Sequence, residues 1–110
     1  MNQLSSYQVR FNQPLSTDQI VNIYKYSKKD DRHIYLHQDQ LIADAGHFTK
    51  LLSFFLFVDT DQPTLMIIDG KDIEEVFETI HTEWKDCVSE ISIRSKFSEA
   101  QINNQTSISV

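Results

Sequence analysis

The sequence predicts a single α+β domain, an open-faced sandwich in which a four-stranded antiparallel sheet carries three helices on one face, in the order β-α-β-β-α-β-α. Three observations predict this class. Tyr7, Val9 and Phe11 alternate with polar residues, which is the period of a strand with one buried face. Residues 64–68 form a nearly continuous apolar run, typical of a central strand. Residues 72–84 repeat apolar side chains at helical spacing.

The first half of the chain supplies one helix and a hairpin. Ser16 and Gln19 are spaced as a capping box, which predicts helix one over about 17–27. Residues 33–37 and 41–45 are two short runs of β-favouring residues on either side of a polar turn. They therefore predict the second and third strands.

The second half supplies helix two, strand four and helix three. Residues 47–58 predict helix two, and Asp72 with Glu75 predicts a capping box at the start of helix three. After Cys87, Ile91 and Ile93 could form a short strand, but residues 98–110 are rich in asparagine, glutamine and serine. We expect one domain over residues 1–97, with its core at about 7–85, followed by a flexible polar tail at 98–110.

Charge and composition exclude several kinds of partner. The 16 acidic and 10 basic residues give a net charge of −6, which disfavours nucleic acid. The longest apolar run, 54–58, is far shorter than the roughly 20 residues of a membrane helix. The first seven residues lack the pattern of a secretory signal, and Cys87 is the only cysteine. We therefore expect a cytoplasmic protein without a disulfide, a nucleic-acid partner or a membrane partner.

Several stretches taken in order resemble the phosphocarrier protein HPr of the bacterial phosphotransferase system. These are IYL at 34–36, HFTKLLSF at 47–54, TLMII at 64–68 and DGKDIEEVFETI at 69–80. The resemblance covers roughly residues 7–85 and rests on the order and spacing of the elements. It implies the HPr fold and a partner-binding surface at the beginnings of helices one and two.

The residues at the start of helix one depart from that family. HPr proteins carry Gly-Leu-His-Ala-Arg-Pro-Ala there, and the histidine accepts the phosphoryl group. In this chain the junction 13–19 reads QPLSTDQ, with no histidine and with Asp18 at the place of the arginine. A serine hydroxyl needs an adjacent base to act as a nucleophile, and Asp18 would repel the donor phosphate. The family's phosphotransfer is therefore not expected at this junction.

The start of helix two holds the second family site, a serine that a regulatory kinase phosphorylates in some bacteria. The matching residue is His47, which cannot be phosphorylated as a serine. His47 could itself accept a phosphoryl group at a helix N-terminus, where anions are favoured, or it could be a polar residue that only begins the helix. Both interpretations remain open from the sequence.

Helix two has a broader apolar surface than contact with one sheet requires, so part of it should face solvent or a partner. In HPr the exposed apolar residues of this helix contact partners, and the matching positions are Phe48, Thr49 and Leu52. Packing of the extra apolar residues under the C-terminal segment is the alternative. The predicted partner-binding residues are Ser16, Thr17, His47, Phe48, Thr49 and Leu52.

The other histidines and the carboxylates do not predict a catalytic or metal site. His33 and His37 would lie about 13 Å apart along a strand and so could not share one ion. His81 and the acidic residues of helix three fit a solvated face. We therefore expect no cofactor and no metal.

Three functions remain open. The first is a non-catalytic HPr-like interaction or regulatory module with a protein partner, and homo-oligomerisation is compatible with it. The second is a phosphocarrier that uses a non-standard histidine such as His47. The third is a small ligand-binding or structural subunit with no link to phosphotransfer.

Overall fold

The computed structural model describes residues 3–29 and 32–98, except for the side chains of 95–98. Three helices and five strands alternate along this part of the chain. In order they are β1 (Gln3–Phe11), α1 (Thr17–Lys29), β2 (His33–Gln38), β3 (Leu41–Asp44), α2 (Phe48–Phe57), β4 (Thr64–Gly70), α3 (Ile73–Trp84) and β5 (Val88–Ser98). The predicted polar tail at 98–110 lies outside the described residues apart from the backbone of Ser98.

The sheet is antiparallel and open, with the strand order β3-β2-β4-β1-β5. The α+β class with three helices is confirmed, whereas the prediction of four strands is wrong, because β5 pairs with β1 as a fifth strand. An edge strand has one neighbour and needs few apolar residues. Ile91 and Ile93, which lie opposite Val9 and Tyr7, are enough to align β5 with β1.

One core lies between the sheet and the helices. The strands contribute alternate residues to it: Tyr7, Val9 and Phe11 from β1 are all buried, and Met66 and Ile68 from β4 are fully buried. The helices add their apolar stripes, which include Ile20 and Ile23 of α1, Leu51, Phe54 and Phe55 of α2, and Ile73, Val76, Ile80 and Trp84 of α3. The opposite face of the sheet carries Gln8, Tyr35, His37 and Leu65, which are exposed or half-buried.

β1 begins at Gln3, four residues before the predicted start at Tyr7. Ser5 and Ser6 are buried in this extension although serine is usually a surface residue. They are buried because β1 lies between β4 and β5 in the sheet. Residues 3–6 do not alternate between apolar and polar side chains, so the sequence pattern does not indicate that they belong to the strand.

The helices match their predicted positions, with one difference at the start of α3. Asp72 is the N-cap, but its φ of 54° is in the left-handed region and its side chain makes no capping hydrogen bond. The predicted capping box with Glu75 is therefore wrong, because an N-cap side chain reaches the helix amides from an extended backbone. The longest helix has 13 residues, and no helix in the described part of the chain is long and apolar enough to cross a membrane.

Candidate protein-binding surface

The start of α1 is closed by the capping box that the sequence predicts. The amide of Gln19 donates to Ser16 Oγ at 3.2 Å, and the amide of Ser16 donates to Gln19 Oε1 at 2.8 Å. Gln19 also ties this end to the rest of the fold, because its Nε2 donates to the carbonyl of Glu83 at 3.1 Å and its Oε1 accepts from Cys87 Sγ at 3.3 Å. The polar groups of this junction are thus engaged in holding α1 to the end of α3.

This arrangement bears on the nucleophile that the HPr family has at the same junction. Leu15 is buried and cannot substitute for an imidazole. The hydroxyl of Ser16 accepts the capping hydrogen bond, and no histidine lies among the described contacts of this residue. Thr17 and Asp18 are exposed. The junction therefore offers a capped helix end rather than an activated nucleophile.

The start of α2 is open in comparison. His47 is the N-cap, with an extended backbone and no capping hydrogen bond from its side chain, which is 67% exposed. Its Nε2 lies 3.9 Å from Asp44 Oδ2. Asp44 fixes the preceding turn, since its Oδ1 accepts from the amide of Gly46 at 2.8 Å. A side chain at Gly46 would bring its Cβ within 3.2 Å of that oxygen, so the turn has little room for a larger residue.

A shallow cleft of about 490 Å³ borders the start of α2. His47, Lys28 and Lys50 line it together with the rings of Tyr24 and Phe48. The Tyr24 and Phe48 rings lie 5.4 Å apart and join α2 to the second half of α1. The cleft is therefore lined by cationic and aromatic side chains, although the net charge of the protein is negative.

The six predicted partner-binding residues fall into two groups. α1 and α2 run in opposite directions, because Phe48 at the start of α2 contacts Tyr24 late in α1, whereas Phe55 near the end of α2 packs on Phe11 just before α1. Ser16 and Thr17 thus lie at one end of the helix pair. The other group lies at the opposite end or along α2 and contains His47, Phe48, Thr49 and Leu52.

α2 divides its apolar residues between the core and the surface. Leu51, Phe54 and Phe55 are buried, and Phe48 and Leu52 are half-buried, as expected. Leu56 and Phe57, however, are 77% and 71% exposed. α2 therefore has more apolar side chains than the core covers, as the sequence indicates. Most of the uncovered ones lie at the C-terminal end of the helix.

A second groove, of about 270 Å³, separates α2 from the edge strand β3. Phe57 and Ile42 line it, and Ile42 is 67% exposed. Lys50 lies at the rim of both this groove and the cleft at the start of α2. We call Leu56 and Phe57 the α2 patch. Sequence reasoning missed Ile42 and Leu56, although the unbroken apolar run 54–58 was a signal that one helix face could not absorb every residue.

The other three histidines and Cys87 do not come together in one site. His33 and His37 are exposed on β2, and the His37 ring lies 2.8 Å from the carbonyl of Asp39. His81 is exposed on α3. Cys87 is buried and free. Among the described residues, no group of three or more histidine, cysteine or acidic side chains could hold a metal ion.

Tyr35 on the open face of the sheet has a perturbed pKa. Burial raises the pKa of its phenol above the ordinary value of 10.0, and the carboxylates of Asp44 and Asp69 raise it further. Both carboxylates lie on neighbouring strands, since Asp44 pairs with Tyr35 and Asp69 pairs with His33. Both effects favour the neutral phenol of Tyr35 over the phenolate.

Comparison with protein-family models, with curated proteins and with solved structures finds no match to the chain. What defines the molecule is thus its own architecture: an α+β sandwich with an open five-stranded sheet and an apolar patch on α2.

Proposed function

We propose that the chain is a non-catalytic, HPr-like interaction module that binds a protein partner through the outer surface of α2. The observation that carries the proposal is the exposure of Leu56 and Phe57, 77% and 71%, at consecutive positions of one helix. Isolated exposed apolar residues are ordinary on protein surfaces, but two large ones at adjacent positions, one of which lines a groove, form a patch that favours association.

The surroundings of the patch indicate the chemistry of the partner. Lys28 and Lys50 lie along the same side of the molecule, on a chain whose net charge is −6. A complementary surface would have an apolar centre and carboxylates at its rim, since opposite charges steer association and disfavour wrong partners. The half-buried Phe48 and Leu52 extend the apolar contact along α2 towards those lysines.

The link to the phosphotransferase system is part of the proposal and rests on the resemblance in the sequence. The order from β1 to α3 supports it, because it is the order that the resemblance implies. The closed junction at Ser16 supports the absence of catalysis. The partner class is therefore proteins that recognise an HPr-like surface without receiving a phosphoryl group from it.

The test is an affinity isolation from native lysate that compares three forms of the full chain by quantitative mass spectrometry. The double variant Leu56→Ser, Phe57→Ser should lose a partner that the wild type retains, because truncation of a buried anchor typically costs about 2 kcal/mol or more of binding. Ile93→Ser is the matched control, since Ile93 is 61% exposed but lies on β5. Equal retention of every bound protein by wild type and double variant would contradict the proposal.

A second candidate function is phosphoryl transfer through His47. The observation in its favour is the exposed imidazole in a cleft that Lys28 and Lys50 also line, where a phosphate would find positive charge. Asp44, at 3.9 Å from the ring, is a group that could orient it.

Incubation with enzyme I and phosphoenolpyruvate separates the two candidates. We expect no acid-labile phosphate on the wild type, and none after Ser16→His, because Asp18 still stands at the place of the family's arginine. Stoichiometric phosphate that disappears with His47→Gln would favour the carrier function instead. Asn22→Gln, on the exposed face of α1, is a control for nonspecific effects of an amide substitution.

A further inference from the structure

The groove between β3 and α2 has an edge strand as one of its walls. Its volume is about 270 Å³. Within the sheet that the structure describes, β3 pairs with β2 alone, so its other side is free of strand neighbours. An edge strand presents backbone donors and acceptors that another strand can use. This wall of the groove can therefore bind a partner's backbone as well as its side chains.

The backbone of Ile42 points to the free side of β3. The amide of Ala45 donates to the carbonyl of Ile34 at 2.8 Å, which places Ala45 in a pair that bonds directly to β2. Alternate residues of an antiparallel strand bond to the same neighbour, so Ala43 also turns its backbone towards β2. The amide and carbonyl of Ile42, which lies between these bonding positions and the start of the strand, face away from β2.

α2 supplies the opposite wall with one face of the helix. Lys50, Ser53 and Phe57 are three and four residues apart, so they share this face, and all three line the groove. Phe57 is 71% exposed and offers apolar surface, whereas Lys50 carries a positive charge. Among the described residues, none that lines the groove is acidic. The groove is thus complementary to an apolar side chain and a carboxylate, on a chain whose net charge is −6.

The charge and the apolar surface lie at opposite ends of the groove. β3 leads into α2 through a short turn, so the end of β3 lies near Lys50 at the start of the helix. At the other end, the Gln38 side chain donates to the carbonyl of Asp59 just after α2, and Gln38 pairs with Leu41. The start of β3 therefore lies near Phe57.

We propose that the groove binds an extended segment of the protein partner, which pairs antiparallel with β3 and carries a carboxylate two residues before a large apolar side chain. Successive side chains of a strand point to opposite faces, so the residues opposite Ala43 and Leu41 both face α2. The carboxylate, opposite Ala43, reaches Lys50, and the apolar side chain, opposite Leu41, packs on Phe57. The inference rests on the proposed function, because Phe57 belongs to the α2 patch.

An extended segment fits this groove better than a partner helix. The residue opposite Ile42 would exchange two hydrogen bonds with it, as residues in a bonded antiparallel pair do. A helix would cover the amide and carbonyl of Ile42 without bonding to them, and a buried backbone group without a partner is costly. Addition of a strand gives affinity through the backbone and specificity through alternate side chains.

A synthetic peptide, acetyl-Thr-Glu-Thr-Leu-Thr-amide, tests the strand pairing when it is titrated into the isotopically labelled full-length chain and followed by nuclear magnetic resonance. The amide signal of Ile42 should shift on binding. N-methylation of the central threonine removes the donor opposite Ile42 and should weaken binding by about tenfold. N-methylation of the leucine is the matched control, because its N–H points away from β3, and it should change the affinity by less than about twofold.

Charge reversal tests which end of the peptide lies at Lys50. Lys50→Glu should weaken binding of the peptide by about fivefold, and a peptide with lysine in place of glutamate should recover the loss. Lys28→Glu is the matched control, since Lys28 lines the neighbouring cleft but not the groove. It makes the same change in net charge and should leave the affinity unchanged.

Three outcomes would overturn the inference. The first is the absence of any shift at Ile42 at about 10 mM peptide, well above the millimolar dissociation constant of a weak complex. The second is equal binding of the two N-methylated peptides, which would mean that the occupant lies on the groove without pairing. The third is equal loss of binding in Lys50→Glu and Lys28→Glu.

These failures are distinguishable from failure of the proposed function. If the double variant Leu56→Ser, Phe57→Ser loses its partner from lysate while the two N-methylated peptides bind equally, the α2 patch binds a partner and the strand pairing is wrong. If the double variant retains every partner, the proposed function itself is wrong, and the strand pairing that rests on it is overturned as well.

Discussion

The beginnings of α1 and α2 are built in opposite ways. At the start of α1, Ser16 and Gln19 satisfy each other's backbone amides, and Gln19 connects the junction to Glu83 and Cys87. At the start of α2, the His47 side chain makes no capping bond and is 67% exposed beside a cleft. The difference teaches that the polar groups at the start of α1 serve to hold the fold, whereas the side chain at the start of α2 is left exposed. In the proposed function the surface for a partner is therefore placed on α2.

α2 itself has a buried side and an exposed side, and substitutions on the two sides should give the largest difference in stability. Phe55→Ala should lower the free energy of unfolding by about 3–5 kcal/mol, because the ring is buried against Phe11 and Trp84. Leu56→Ala should change it by less than about 0.5 kcal/mol, since Leu56 is 77% exposed. Urea denaturation of both variants measures the difference. Equal losses would mean that Leu56 belongs to the core and that the α2 patch is not free.

Substitutions at the starts of α1 and α2 should also differ in their effect on the stability of the protein, but by a smaller amount. Ser16→Ala removes the capping oxygen and should cost about 1 kcal/mol. His47→Ala removes no capping bond and should stay within about 0.5 kcal/mol of the wild type. Thermal unfolding of the pair measures this difference. A larger loss for His47→Ala than for Ser16→Ala would reverse the comparison.

The sequence predicts most elements because their signals are local. The capping spacing of Ser16 and Gln19 and the stripe from Ile73 to Trp84 depend on neighbours within one helix, and the structure bears out both. β5 depends instead on partners 77 to 95 residues away, so Ile91 and Ile93 indicate at most a short strand and do not indicate the strand with which it pairs. Pairing across such a distance is not encoded in a short window of sequence.

The candidate surface on α2 is predictable only in part, for a related reason. The width of the apolar face of α2 indicates that some residues must be exposed, and the sequence assigns that role to Phe48 and Leu52. In the structure these two are half-buried, in keeping with the expected partial exposure, and Tyr24 of α1 packs against Phe48. The exposure of Leu56 and Phe57 follows from where α1 lies, which the periodicity of α2 cannot specify.

The smallest expected effect concerns the turn that leads into α2. Asp44→Asn should lower the raised pKa of Tyr35, because it removes one of the two carboxylate charges that favour the neutral phenol. The amide oxygen of asparagine can still accept from Gly46, so the turn should persist. Because the folded-state pKa lies above the unfolded value, stability should fall as the pH rises through that pKa, and the fall should be smaller in Asp44→Asn.

Titration of isotopically labelled tyrosine by nuclear magnetic resonance measures the pKa of Tyr35 directly, with Tyr35→Phe to assign its signal. Asp69→Asn is the matched control, since Asp69 also raises this pKa but takes no part in the turn. A pKa that does not move in Asp44→Asn would mean that Asp44 does not act on Tyr35 as the geometry indicates.

The central claim is that partners bind α2 and not the start of α1, and photo-crosslinking in native cells tests it most directly. A photoreactive residue is introduced separately at Leu56, at Thr17 and at Glu78, which is exposed on α3 and serves as the control. We predict a discrete protein adduct from position 56 and none from positions 17 and 78. An adduct that forms from position 17 and is absent from position 56 would contradict the account.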